Sequence, residues 1–98
     1  MQNKESIYQI ISQYFQDKSV NKAFVFGSYA KDLEKENSDI DILIELSQSV
    51  GLMKLIEYKL DLEDILHLKV DLLTPASISP KIFPLIEKDL KLIYERSW

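Results

Sequence analysis

An α/β or α+β fold, a mixed sheet of about four strands flanked by helices, is predicted by two features of the pattern. Short β-branched and aromatic runs alternate with longer segments of helical spacing, and a turn residue, Gly27 or Pro75, closes the first and third of those runs. The chain has 98 residues, enough for one core and too few for a second, so residues 1–98 are expected to be a single domain. Its 46% apolar and 29% charged residues, with only 2 glycines and 3 prolines, are those of a folding chain and exclude a disordered one.

Taken in order, Ile7, Ile10, Ile11, Tyr14 and Phe15 recur at helical spacing and predict an amphipathic helix over residues 5–17. Lys22–Phe26 is short, rich in Phe and Val, and stopped by Gly27, as a buried strand would be. Residues 28–36 are polar and suit a short helix. Ile40, Ile42 and Ile44 alternate with Asp39, Asp41 and Leu43, the period of a strand with two different faces. Leu55, Tyr58, Leu62, Ile65 and Leu66 restore helical spacing over about 50–67, with Ser49 as the expected N-cap. Val70–Thr74 reads as a third strand. Ser79-Pro80 resembles a cap and a first-turn proline, predicting a helix over 80–88 or one that starts nearer Pro84. Leu90–Tyr94 fits both periods and is assigned a final strand.

Composition also narrows the function. No cysteine is present, so disulfide frameworks and thiolate metal sites are excluded. MQNKESIYQI lacks the basic and apolar regions of a signal peptide and no run approaches membrane-spanning length, so a cytoplasmic protein with no membrane partner is expected. A net charge of −4 counts against direct nucleic-acid binding, which needs clustered Lys and Arg.

The chemistry is concentrated in VFGSYAKDLEKENSDIDILIEL, residues 25–46. On a regular strand Asp39 and Asp41 leave the same face, and two carboxylates that close repel unless a divalent cation sits between them. Gly27 ends a strand where the backbone turns or lets a ligand approach, and Ser28 follows with a hydroxyl and backbone N–H groups suited to phosphate. Each motif alone has an ordinary structural explanation: a solvent-facing acid pair for one, a turn glycine with a helix-capping serine for the other. Together, ten residues apart, they form a device for a triphosphate and its metals.

The pattern Gly27-Ser28, ten residues, Asp39-x-Asp41 resembles the GSx10DxD signature of the DNA polymerase β-like nucleotidyltransferase superfamily in its minimal form. The length and the later stretch KVDLLTP resemble minimal nucleotidyltransferase (MNT) proteins, antitoxins to HEPN-domain toxins. The likeness runs from about Ala23 to Tyr94. It implies transfer of AMP from ATP to a hydroxyl of the partner toxin, typically a tyrosine, with pyrophosphate leaving. It further implies phosphate binding by Gly27 and Ser28, and two Mg²⁺ ions held by Asp39, Asp41 and Asp71. Asp71 has separate support, because it interrupts the apolar run Val70, Leu72, Leu73, where a buried carboxylate needs a partner; its ordinary explanation is an acid at the solvent-facing edge of a strand.

Many members continue the Gly-Ser with Arg-Ala-Arg-Gly, whereas this chain has Tyr29-Ala30-Lys31-Asp32. Lys31 keeps a positive charge near the phosphates, Asp32 is expected to repel them, and Tyr29→Arg is expected to tighten nucleotide binding. His67 is read as a helix C-terminal or surface residue, and Trp98 as a loose tail or an interface anchor. Three function classes follow: an enzyme that modifies its toxin, a non-catalytic antitoxin that neutralises the toxin by occlusion, and a subunit that modifies a small molecule or RNA. The first accounts best for acids directed at one point, and the third lacks an acceptor-binding domain.

Overall fold

The computed structural model describes residues 3–35 and 38–97, so the reading of Trp98 lies outside the described residues. Helix α1 spans Lys4–Phe15, strand β1 Val20–Phe26, helix α2 Gly27–Ala30, strand β2 Ile40–Leu46, helix α3 Leu52–Leu66, strand β3 Val70–Leu73, helix α4 Phe83–Glu87 and strand β4 Lys91–Glu95, with a 3-10 turn at Pro75–Ser77. The four strands form one sheet in the order β3-β2-β1-β4. β1 runs antiparallel to both β2 and β4, and β2 runs parallel to β3 with α3 as the crossover. The sheet is therefore mixed.

Sequence spacing explains which way each element faces. Ile7, Ile11 and Phe15 recur every fourth residue on α1, and Tyr58, Leu62 and Leu66 do so on α3. Both stripes bury against Ala23 and Val25 of β1, Ile40, Ile42 and Ile44 of β2, Val70 and Tyr94. Burial of such a side chain contributes about 1.5–3 kcal/mol, so these two rows are the main apolar stabilisation of the fold. Tyr14 adds a polar tie between the helices by donating to Asp61 at 2.6 Å, and its ring meets those of Phe15 and Tyr58 edge-on.

Alternation then sends Asp41, Leu43 and Glu45 to the opposite face of β2. Leu43 and Phe26 are buried yet belong to no part of the helix-side cluster. The Pro75–Ser77 turn packs against β2. Helices on one face and carboxylates on the other is the arrangement that positions the site.

Several local details differ from expectation. α3 begins at Leu52 with Gly51 in the cap position and no side-chain cap bond, so Ser49 is not its cap; Lys54 and Leu55 donate to the Gly51 carbonyl instead. His67 does end α3, in a left-handed conformation (φ 57°) with its N–H on the Glu63 carbonyl at 2.8 Å. Pro75 opens the 3-10 turn, which the sequence reading missed, and α4 starts at Phe83 with Pro84 in its first turn, the later of the two expected starts. Ser79 still starts the preceding turn, its carbonyl accepting from Ile82 and Phe83, each at 2.9 Å. Among the described residues no helix is long and apolar enough to cross a membrane.

Candidate active site

The register of the sheet brings distant residues to one end of it. Phe26, the last residue of β1, pairs with Asp41, and Asp41 pairs across the parallel ladder with Asp71. The C-terminal end of β1 thus meets the N-terminal ends of β2 and β3, and Val25 pairs with Lys91 at the start of β4. Gly27, Asp41 and Asp71 are neighbours although 44 residues separate the first from the last.

Gly27 is fixed in place by two separate constraints. Its φ is +70°, a left-handed backbone that side chains disfavour, and a Cβ built there would fall well inside contact distance of Asp41 Oδ2. The space a side chain would occupy belongs to a carboxylate. Ser28 is the second residue of α2, not its cap: Phe26 takes the cap position without a side-chain cap bond, and the Ser28 carbonyl accepts from Leu33 at 2.8 Å. The capped-turn explanation of this serine therefore does not apply.

Asp41 is half-buried, and its carboxyl is pushed up from the ordinary 3.8 to about 6. Burial is the largest cause, followed by a hydrogen bond shared with Asp71 and by the charges of Asp71 and Asp39. Asp39, just ahead of β2, and Asp71, on β3 directly across from Asp41, are both exposed, and each acts on Asp41 through its charge. Among the described residues no three acidic or imidazole groups converge into a formed metal cage. The donor set nonetheless fits a hard divalent cation such as Mg²⁺, which takes few carboxylates and fills its remaining positions with water and substrate phosphate.

The residues after Ser28 behave differently from the sequence expectation. Tyr29 is 5% exposed and belongs to the helix-side core, and its carbonyl accepts from the Tyr8 hydroxyl at 3.4 Å. An arginine there would carry its charge into apolar packing, so Tyr29→Arg is expected to destabilise the fold, not to tighten nucleotide binding. Asp32 is exposed, has a left-handed φ of 59°, and pairs with Lys4, which also reaches Glu34 at 3.2 Å. Lys4 holds the Asp32 carboxyl below its usual range, and much of the charge expected to repel phosphates is answered there. Lys31 pairs with Asp89 at 3.4 Å.

One contributor has no sequence signature. Glu63, on α3, accepts the Val70 N–H at 2.9 Å and the Lys59 ammonium at 3.1 Å, which anchors the residue next to Asp71. In sequence it is one acid among several on a charged helix, and only the fold of α3 back onto β3 distinguishes it.

Two outcomes are expected. Gly27→Ala should lower the urea-unfolding free energy more in the natural chain than in an Asp41→Ala background, where only the backbone cost of about 1–2 kcal/mol remains; equal costs would show that residue 27 and Asp41 do not compete for space. The raised acid at Asp41 contributes stability that is full below pH 3.8 and lost as pH rises through about 6. In EDTA, Asp41→Asn should therefore gain about 1 kcal/mol over the natural chain at pH 8, a value reduced for the water around a half-exposed group, and nothing at pH 3.5. Thermal melts at the two pH values check this, and a gain independent of pH contradicts it.

Residues 9–98 match the family described as polymerase beta, nucleotidyltransferase. A protein of Methanocaldococcus jannaschii with the provisional name protein adenylyltransferase MJ1217 is 45% identical over 83 residues, spanning 84% of this chain and 82% of the relative. The fold is shared with a chain of a crystal structure of a toxin-antitoxin with AMP-PNP, at TM-score 0.76 and 21% identity over 97% of this chain and 76% of that one. It is shared too with a chain of a tri-AMPylated Shewanella oneidensis HEPN toxin in complex with MNT antitoxin, at TM-score 0.65 and 19% identity, covering 90% of this chain and 72% of the other. The mixed four-stranded sheet is thus a nucleotidyltransferase fold, and the chain belongs to the polymerase beta nucleotidyltransferase family.

Proposed function

We propose that this chain is a Mg²⁺-dependent protein adenylyltransferase that moves AMP from ATP to a hydroxyl, most naturally a tyrosine, of a HEPN-domain toxin and thereby neutralises it. The observation that carries the reading is the Asp41-Asp71 carboxyl pair set against the Gly27-Ser28 turn. The relatives support it: the M. jannaschii protein is named an adenylyltransferase, and the structural neighbours include a complex with an ATP analogue and one with an AMPylated HEPN toxin. In this reading residues 1–98 act as one catalytic domain in the cytoplasm, and the acceptor hydroxyl is brought by the partner.

Each residue has a role that its position supports. Asp41 and Asp71, with Asp39 beside them, would hold two Mg²⁺ ions. Bound there, the ions would supply charge neutralisation for the phosphates and acidify the acceptor hydroxyl. Gly27 leaves the backbone bare for the triphosphate, and Ser28 offers its hydroxyl and N–H to the terminal phosphates. The acceptor oxygen bonds to the α-phosphorus, the bond from that phosphorus to the β-bridging oxygen breaks, pyrophosphate departs with the electron pair, and the hydroxyl proton passes to water. Asp41 has to lose its proton before it can act as a ligand, so nucleotide use should rise with pH through about 6.

The test is an incubation of the purified chain with α-labelled ATP and a HEPN-domain toxin that it binds. Label should appear on the partner only with Mg²⁺ or Mn²⁺, and Asp39→Asn and Asp41→Asn should each lower the rate by about two orders of magnitude or more. Asp41→Asn should still bind the partner but fail to rescue growth. Full rescue by that variant at matched expression would make occlusion the function, and undiminished transfer in EDTA would overturn the mechanism.

A further inference from the structure

Lys31 stands three residues beyond Ser28, at the C-terminal end of α2, and its N–H caps the Gly27 carbonyl at 3.2 Å. Its ammonium is 3.4 Å from Asp89 Oδ2, and the two side chains are 50% and 32% exposed. Asp89 sits in the turn between α4 and β4, with its N–H on the Ile86 carbonyl at 2.9 Å. Because Lys91 pairs with Val25, that turn lies beside the end of β1 from which Gly27 and Ser28 emerge. Two other lysines at this end are engaged elsewhere: Lys4 with Asp32 and Glu34, and Lys91 over the ring of Tyr8, a residue of α1. Tyr29, buried in the core, offers no cation at all.

We infer that Asp89 is a positioning residue that holds Lys31 beside the Gly27-Ser28 turn and competes with the incoming triphosphate for it. In the free protein Lys31 is parked on Asp89, kept close to the turn but not exposed as a bare cation. When a nucleoside triphosphate arrives, the ammonium exchanges one carboxylate for more strongly charged phosphate oxygens. The pair is half-exposed, so the grip is weak and the exchange is inexpensive. Asp89 thus lowers nucleotide affinity while keeping its cation in place, which tunes the site without touching the ligand. This inference rests on the nucleotide-binding reading above and adds a residue that neither the Gly-Ser nor the D-x-D pattern includes.

The experiment is a double-mutant cycle read by calorimetric titration of the intact chain with AMP-PNP and Mg²⁺, a binding measurement independent of turnover. Lys31→Ala should weaken binding about tenfold or more, as loss of a charge-assisted contact does. Asp89→Asn should tighten it about two- to fivefold, the range set by the weak exposed pair it releases. In the Lys31→Ala background Asp89→Asn should do nothing. Equal tightening in both backgrounds would mean that Asp89 acts on the phosphates directly, and the inference would be wrong. It would equally be overturned if Asp89→Asn left the natural chain's affinity unchanged, or weakened it. Should the natural chain itself fail to bind AMP-PNP with Mg²⁺, the nucleotide-binding reading falls first and this inference with it. Both substitutions are at the surface, and unchanged thermal midpoints confirm that each variant is folded.

Discussion

A carboxylate occupies the room where residue 27 has no side chain, and much of the site follows from that contact. Asp41 can lie against the backbone of the β1-α2 turn only because Gly27 lacks a Cβ, and the turn can take its left-handed path only for the same reason. Asp41 is thereby held half-buried beside Asp71, where ionising both is costly. In the proposed function a cation and a polyphosphate would supply the missing counter-charge.

The sheet does the rest of the positioning. α1 and α3 bury their apolar rows on one face, so the alternation of β2 sends its acid to the other, and the parallel pairing of β2 with β3 sets Asp71 directly across from Asp41. A slip of one residue in that ladder would turn Asp71 toward the helices and separate the pair. Glu63 guards against such a slip by bonding the first N–H of β3 from the end of α3. The same α3 carries exposed Leu52, Met53, Ile56 and Leu60 on its outer side, opposite the row that packs on the sheet.

How much of this the bare sequence carries depends on the range of the interaction. The four strands and the two long helices were legible because period-2 and period-3.6 patterns are local, and each boundary fell within a few residues of its expected place. Gly27, Ser28 and the acids were legible as a constellation, since their spacing resembles a known signature. Other features were not local. Ser49 looked like a cap, yet the backbone enters α3 two residues later at Gly51. Tyr29 was compared with a basic residue of the resembling family, whereas a short helical turn rotates it into the core. The partners of Lys31, Asp32 and Glu63 come from Asp89, Lys4 and Val70, and no spacing rule connects them.

In the proposed function a divalent cation would enter at the end of the sheet defined by Gly27, Asp39, Asp41 and Asp71. Paramagnetic broadening of the amide NMR spectrum by substoichiometric Mn²⁺ tests it most directly. The account predicts that the signals of Gly27, Ser28, Asp39, Ile40, Asp41 and Asp71 fade first, and that Asp41→Asn abolishes this local effect while leaving the rest of the spectrum in place. Broadening spread evenly over the acidic surface of α3, or focused away from the Gly27 turn, would contradict it.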